Sequence, residues 1–529
     1  MVIRQSCRAC TRTIALSHVA TKGKGPLITN GRFMSTAARG YSEALEKLFK
    51  LQPNRKVTNL FENSSSGKKS SPQDLNAAAI PEVLTWLRRA GYTQRDLAKM
   101  RHIHVAGTKG KGSVCAYATA MLMRYRTVGT YTSPHLVSPR ERIAINGNAV
   151  GQDVFAEAFF EVWDRFTEAA VKEGMTAAEA EGPASKPFFF RYLTILAWHI
   201  FLREGVTDVV MECGIGGEYD ATNVLPPEAV SAAVVTQLGV DHVAMLGDTV
   251  EKISWHKAGI LKPGVRGFTM RLDDQPSVME VLRTRAEEKG TELVELDSSL
   301  VEKWGGVSGI LKGDFQKRNQ ALAVMAVSEH LGMSSSPATA LENIPDKMVR
   351  GLREARLRGR CEVVDNGDVV WLLDGAHTKD SLEEVAKWFA KSLDGEEDVI
   401  LVFNQQERNA AELLGGFLEA VKKETKKEDV FRHAIFTRNE LATPAEGEVR
   451  DLDVQRQAAE RMSALVPESQ VKVFDNLGDS VAETRKLAWV GDGAKKQKVL
   501  VTGSLHLVGG IAGSRAGNTI VIILRNLYP

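Results

Sequence analysis

The chain has 529 residues, 43% of them hydrophobic and 25% charged, an ordinary globular composition with room for two or more domains. A formal net charge of +2 excludes bulk electrostatics as an argument for nucleic-acid binding, and no apolar run is long enough to span a bilayer. Five cysteines in so long a chain exclude a disulfide framework.

The chain opens with a basic segment. Arg4, Arg8, Arg12, Lys22, Lys24, Arg32 and Arg39 precede the first acidic residue, Glu43, and hydroxyl residues are frequent. That composition predicts a mitochondrial transit peptide over residues 1–41 and a matrix location, with Arg39-Gly40-Tyr41 before Ser42 resembling a matrix-protease cleavage site. Met34 offers an internal start for a cytosolic form. Cys7 and Cys10 make a C-x-x-C without a second pair and read as incidental. Lys22-Gly-Lys-Gly25 imitates a phosphate loop but lacks a strand and helix around it. Tyr41–Leu51 reads as a short amphipathic helix, Asn63–Asp74 as a Ser- and Lys-rich mobile loop, and Ile80–Ala90 as a helix.

From Ile103 apolar strands alternate with helices, which predicts a mostly parallel, doubly wound α/β sheet. Strands are expected at Ile103–Ala106, Asp208–Cys213 and Ala232–Gln237, and helices at Ser113–Tyr125, Phe188–Arg203 and Thr249–Leu261. Glu173–Lys186, rich in Ala, Glu and Gly, reads as a surface insertion. A second alternation begins near Arg360, with strands at Glu362–Val364, Val369–Leu373, Val399–Phe403, Ala434–Thr437, Val471–Phe474 and Val499–Thr502. The pattern breaks in Asn343–Leu357, so the expected domains are residues 42–350 and 351–529. Cys115, Cys213 and Cys361 sit among apolar residues and read as reduced core residues.

His104-Val-Ala-Gly-Thr-Lys-Gly-Lys-Gly-Ser113 lies between a predicted strand and a predicted helix, the setting of a phosphate cradle. Gly110 and Gly112 let backbone N–H groups face phosphate, Lys111 can reach the β- and γ-phosphates, and the Ser113 hydroxyl can face Mg²⁺. The spacing is not G-x-x-x-x-G-K-[ST]: Val105 fills the first glycine slot, and Gly112 stands between the lysine and the serine. Glu212, at a strand end before Gly214, Gly216 and Gly217, is a carboxylate beside a glycine turn and can hold Mg²⁺. His242 follows Asp241 beyond another strand; because magnesium prefers oxygen, its chemistry alone suggests a general base or a structural hydrogen-bonder. Lys257 on its own reads as a surface lysine. Asp374 and His377 follow the strand Val369–Leu373, again at a carboxyl end.

Gly107-Thr-Lys-Gly-Lys-Gly-Ser113 resembles the phosphate loop of the Mur-ligase superfamily, most closely that of the folylpolyglutamate synthase family. Matching segments follow in the family's order: Thr132-Ser-Pro-His-Leu136, Arg140-Glu-Arg-Ile143, Glu212-Cys-Gly-Ile-Gly-Gly217, Asp220-Ala-Thr-Asn223, Leu238-Gly-Val-Asp-His242, Leu246-Gly247, Lys257-Ala-Gly-Ile260 and Asp374-Gly-Ala-His377. The resemblance implies a two-domain architecture, an N-terminal P-loop ATPase domain that also binds folate, followed by a Rossmann-like C-terminal domain. It implies that Ser133, Glu212 and His242 are metal ligands, with Lys111, Lys257 and His242 serving catalysis. It implies that Lys257 carries a CO₂-derived carbamate, which requires a neutral amine and so a buried one. Gly110, Lys111, Gly112, Ser113, Asn319, Arg360, Asp374 and His377 would bind ATP, and Ser504 and His506 the incoming glutamate. Here the family's Trp-Pro before the arginine is replaced by Leu357-Arg358.

The activity implied is an ATP-dependent amide ligase that adds L-glutamate by γ-linkage to a reduced folate through an acyl phosphate. ATP, Mg²⁺ and a monovalent cation accompany the reaction, and the enzyme is expected to be a monomer without a nucleic-acid partner. Dihydrofolate synthase is the nearest rival. A cell-wall Mur ligase would carry a further N-terminal domain, for which little more than sixty residues remain between leader and phosphate loop. A non-catalytic ATP-binding protein has no need of Glu212, His242 and Lys257 together.

Overall fold

The computed structural model describes residues 39–51, 72–333, 336–365, 369–395, 398–406, 409–444, 447, 449–488 and 496–515. Residues 1–38, with Cys7, Cys10, Met34 and the Lys22–Gly25 run, lie outside the described residues, as do residues 63–71 of the expected mobile loop.

Two sheets organise the described chain. The first contains β1 (Arg101–Ala106), β2 (Val128–Tyr131), β3 (Ile143–Ile145), β4 (Asn148–Ala149), β5 (Asp208–Glu212), β6 (Val230–Val235), β7 (Gly267–Met270) and β8 (Leu293–Leu296). Its order is β4-β3-β2-β5-β1-β6-β7-β8, parallel from β2 to β8, with β3 and β4 antiparallel at one edge. Helices cover both faces, so the central strands are near-continuous apolar runs: every residue of β5 is buried, and all of β1 except Arg101. Phe189–Arg203 is apolar almost all round, with Tyr192, Leu193, Leu196, Trp198 and Phe201 fully buried.

The second sheet contains β9 (Glu362–Asp365), β10 (Val369–Leu373), β11 (Val399–Phe403), β12 (Phe431–Thr437), β13 (Gln470–Phe474) and β14 (Gln497–Thr502). Its order is β13-β12-β11-β14-β10-β9, parallel except for β9. The α/β architecture is therefore the expected one, and each strand expected from the sequence is present. Cys115, Cys213 and Cys361 are buried free thiols.

Two local expectations change. Residues 72–74 belong to the helix Pro72–Arg89 rather than to a loop. Glu173–Lys186 is only partly superficial: Ala180, Ser185 and Lys186 are buried, and the Lys186 ammonium lies 4.7 Å from the centre of the Trp163 ring. The helix Asp346–Glu354 runs through residues 350 and 351, and Gly351 lies against the backbone of Ala120 and Met121 behind the first sheet.

Candidate active site at the strand ends

The first sheet places four of its neighbours, β2, β5, β1 and β6, side by side and parallel. Their carboxyl ends deliver, in that order, Ser133, Glu212, the loop Gly107–Lys111, and the segment leading to His242. This is where open α/β sheets bind ligands. Backbone bonds lock the ends in register: Cys213 N–H donates to Val105 O at 2.9 Å, Thr236 N–H to Ala106 O at 2.8 Å, and Thr108 N–H to Gln237 O at 2.8 Å.

Gly110 has φ +90° and caps the helix Lys111–Leu122, so the helix begins two residues earlier than expected, at the lysine itself. The Lys111 ammonium donates to Gly107 O at 2.9 Å, and Lys257 donates to the same carbonyl at 2.8 Å. Lys257 is not a surface residue: it is 2% exposed on the helix Val250–Ala258. Burial, reinforced by the charge on Lys111, brings its pKa down to about 7, against the pull of Asp241, Cys213 and Asp220. Gly217 permits this approach, since a Cβ there would stand 2.6 Å from His256 O and 2.8 Å from Lys257 O.

Glu212 is 3% exposed and accepts from the backbone N–H of Ser133 at 3.1 Å. Burial raises its pKa, opposed by Lys111, by that N–H and by Arg360. A buried carboxylate at a strand end, with an oxygen not consumed by the Ser133 N–H, fits a hard cation with oxygen preference. His242 lies at the end of the segment that follows β6. Its backbone is left-handed (φ +50°), its side chain is 42% exposed, and its Nε2 lies 3.6 Å from Asp241 Oδ2. Among the described residues, no three His, Cys, Asp or Glu side chains are grouped closely enough to hold one metal ion.

The residue types alone did not disclose the role of Asp220. Its buried carboxylate accepts from Gly214 N–H and Ile215 N–H, both at 3.0 Å, and from the Thr222 backbone at 2.9 Å and the Thr222 hydroxyl at 2.6 Å. It thereby fixes the glycine turn behind Glu212. Asp-x-Thr at a turn is a capping pattern that could have flagged it. Thr222 in turn bonds His104 Nε2 at 2.8 Å, under the strand end.

The second sheet faces this crevice with β10, β14 and β11, adjacent at its centre. Asp374 follows β10; it accepts from Cys361 N–H at 2.7 Å and Ala376 N–H at 2.8 Å, and burial raises its pKa while Arg360 opposes the rise. His377 Nδ1 lies 3.0 Å from Gly375 O. Asn319 donates to Gln316 Oε1 at 3.0 Å, and Gln316 donates to Ser113 Oγ at 3.3 Å, which ties two expected nucleotide contacts together through a residue not singled out from sequence. Leu357, where the family has part of its Trp-Pro, lies against Gly112. Ser504 follows β14 and its Oγ accepts from His506 N–H at 3.2 Å; the charge of His506 reaches His135 in the Thr132–Leu136 segment. Lys109 of the phosphate loop pairs with Asp380 at 2.9 Å.

No protein-family model matches the chain. The folylpolyglutamate synthase of Neurospora crassa is 38% identical over 510 residues, covering 91% of this chain and 92% of that protein. That of Saccharomyces cerevisiae (strain FostersO) is 36% identical over 491 residues, covering 89% and 86%. Among solved structures, Mycobacterium tuberculosis folylpolyglutamate synthase complexed with ADP superposes with a TM-score of 0.64 at 23% identity, covering 90% of this chain and 99% of that one. The apo form of L. casei FPGS gives 0.64 at 20% identity, covering 90% and 100%. At these identities the solved structures establish the fold, and the two fungal sequences establish the kinship: the chain belongs to the folylpolyglutamate synthase family.

Proposed function

We propose that the chain is an ATP-dependent ligase that adds L-glutamate by γ-linkage to tetrahydrofolate and its polyglutamates. One observation carries the reading: in a chain that matches folylpolyglutamate synthases over nine-tenths of its length, Lys111, Lys257 and Glu212 meet at adjacent strand ends, with Arg360 within electrostatic reach of Glu212. A carboxylate is a poor electrophile. The folate γ-carboxylate attacks the γ-phosphorus of ATP, giving an acyl phosphate and ADP. The glutamate amine then attacks the carbonyl carbon, and phosphate leaves.

The protein's share is positioning and charge neutralisation. Lys111 and Arg360 offset the negative charge of the transferring group. Asp374, His377 and Asn319 hold the nucleotide, and Ser504 and His506 face the amino acid. Glu212, Ser133 and His242, with the Ser113 hydroxyl, would hold Mg²⁺, which would neutralise phosphate charge. Lys257, as a carbamate, would add a carboxylate to the same place. A monovalent cation would accompany these charges. The nucleotide and glutamate sites divide between residues 42–350 and 351–529, and the enzyme acts as a monomer.

The deciding assay combines ATP, Mg²⁺, tetrahydrofolate monoglutamate and labelled glutamate, with the protein's mass in solution measured alongside. Phosphate release and labelled folate are expected only when all four are present. Glutamate addition to dihydropteroate alone would instead assign a dihydrofolate synthase, and ATP binding without ligation would assign a non-catalytic protein.

The basic, acid-free leader directs the chain to the mitochondrial matrix, and initiation at Met34 supplies a cytosolic form. Residues 1–42 fused to a fluorescent reporter are expected to colocalise with mitochondria, while a chain begun at Met34 stays cytosolic. A diffuse signal from the full-leader fusion would refute the assignment.

A further inference from the structure

Tyr41 lies immediately before the bond at which the sequence pattern places leader cleavage, yet it belongs to the folded body. It is the first residue of the helix Tyr41–Lys50 and is only 9% exposed. Its ring meets Phe155 edge-on, with centroids 5.6 Å apart, and the Arg140 guanidinium lies 5.4 Å from its centre. Its hydroxyl is 2.8 Å from Ser138 Oγ. Three turns of contact hold the rest of this helix: Ala44, Leu45 and Leu48 are buried, and Lys47 pairs with Glu181 at 2.7 Å while lying 4.8 Å from the Trp163 ring centre.

Ser138 closes the segment that begins with Ser133. The carboxylate of Glu141 accepts from the N–H groups of Leu136 at 2.8 Å, Val137 at 3.1 Å and Ser138 at 2.9 Å, so this stretch turns as one rigid collar. At its far end Ser133 N–H donates to Glu212. Three polar contacts from beyond the turn meet the collar: Glu212 at the crevice, Arg142, whose Nε donates to His135 Nδ1 at 2.9 Å, and Tyr41 at the outside. Leu45, Leu48 and the Lys47 pair hold the helix independently of Tyr41, and the Tyr41 hydroxyl joins it to Ser138.

We propose that Tyr41 is a positioning residue, which acts through Ser138 to fix the collar that carries Ser133 beside Glu212. The inference rests on the ligase reading for its kinetic consequence, though not for its structural one. It also sets where the leader can end: trimming between Tyr41 and Ser42 would remove the tether, so the processed chain retains Tyr41.

The test uses the full chain with Tyr41→Phe, which keeps the ring and removes the hydroxyl, and Tyr41→Ala, which removes both. Hydrogen exchange at the amides of Leu136, Val137 and Ser138 is read in each, together with ligation kinetics well below the melting temperature. Faster exchange at these amides is expected in both variants. The Mg²⁺ concentration for half-maximal rate, or the folate KM, is expected to rise about tenfold in Tyr41→Ala and less in Tyr41→Phe. A purely structural role would lower the melting temperature and leave the kinetics of the folded enzyme at parent values; that result, or unchanged exchange in the collar, would overturn the proposal. If the parent itself shows no glutamate ligation, the ligase reading fails, and the exchange measurement still decides the tether. Mass mapping of the natural processed N-terminus adds an independent arm: a chain starting at or before Tyr41 agrees with the proposal, and one starting at Ser42 contradicts it.

Discussion

Lys111→Ala is expected to lower kcat by on the order of a hundredfold or more, because in the proposed reaction it removes a cation that offsets the charge of the transferring phosphoryl group. The lysine is placed for that task by the fold rather than by its own flexibility. Gly110 starts the helix at residue 111, and the ammonium is parked on Gly107 O at 2.9 Å inside the loop it serves. The substitution removes no part of the apolar core, so the melting temperature should move little while turnover collapses. A second effect follows from the neighbouring lysine. The charge of Lys111 helps hold the pKa of Lys257 down, so the variant should also shift the acid limb of any residual activity to higher pH. Near-parent turnover in a folded Lys111→Ala enzyme would remove the lysine from the mechanism.

Lys257→Arg is expected to abolish activity, although it keeps a positive charge. A guanidinium cannot form the carbamate, and a permanently charged group at a 2%-exposed position has no neutral form with which to relieve burial. Because that variant can also fail to fold, Lys257→Ala carries the decision: the vacated volume can admit formate or acetate, which restores an oxygen donor. Partial recovery with added carboxylate supports the carbamate; none with carboxylate, together with an active arginine variant, would make Lys257 a plain cation. The pH dependence has a definite sign. With its pKa brought down to about 7 in the folded chain from an ordinary lysine's 10.5, the unfolded chain holds the extra proton between those values. This lysine's contribution to stability therefore increases as pH rises through that window. The same shift makes neutral amine available to CO₂ near pH 7.

The sheet centres were legible in the sequence because buried parallel strands carry continuous apolar runs, as in Val209–Met211 and Val399–Phe403. Several short strands of the first sheet were not. β3 and β4 span three and two residues, and Gly267–Met270 is too short to show a period. The phosphate loop and Glu212 could be placed because each directly abuts a legible strand. The burial of Lys257 was also written in the pattern, though passed over: it lies four residues after Ile253, on one helical face, and both are buried. The left-handed backbone of His242 arises from tertiary constraints that no local pattern encodes. The helix that begins at Tyr41 was legible from its amphipathic spacing, whereas the contact of the Tyr41 ring with Phe155, far along the chain, was not.

Where the Thr132–Leu136 segment meets the helix Leu505–Arg515, the contact is backbone against backbone. A Cβ on Gly509 would stand 2.0 Å from Leu136 O, and Gly359 is likewise hemmed by Leu136, Leu505 and Val508. Side-chain substitution can tune most junctions between two sheets; at Gly509 the close neighbour is a carbonyl oxygen, which no side-chain substitution can trim. The unit that evolution or an engineer can exchange is thus neither half alone. A graft of a foreign C-terminal half must bring its own version of the segment after β2, or inherit a joint with no tolerance for mismatch.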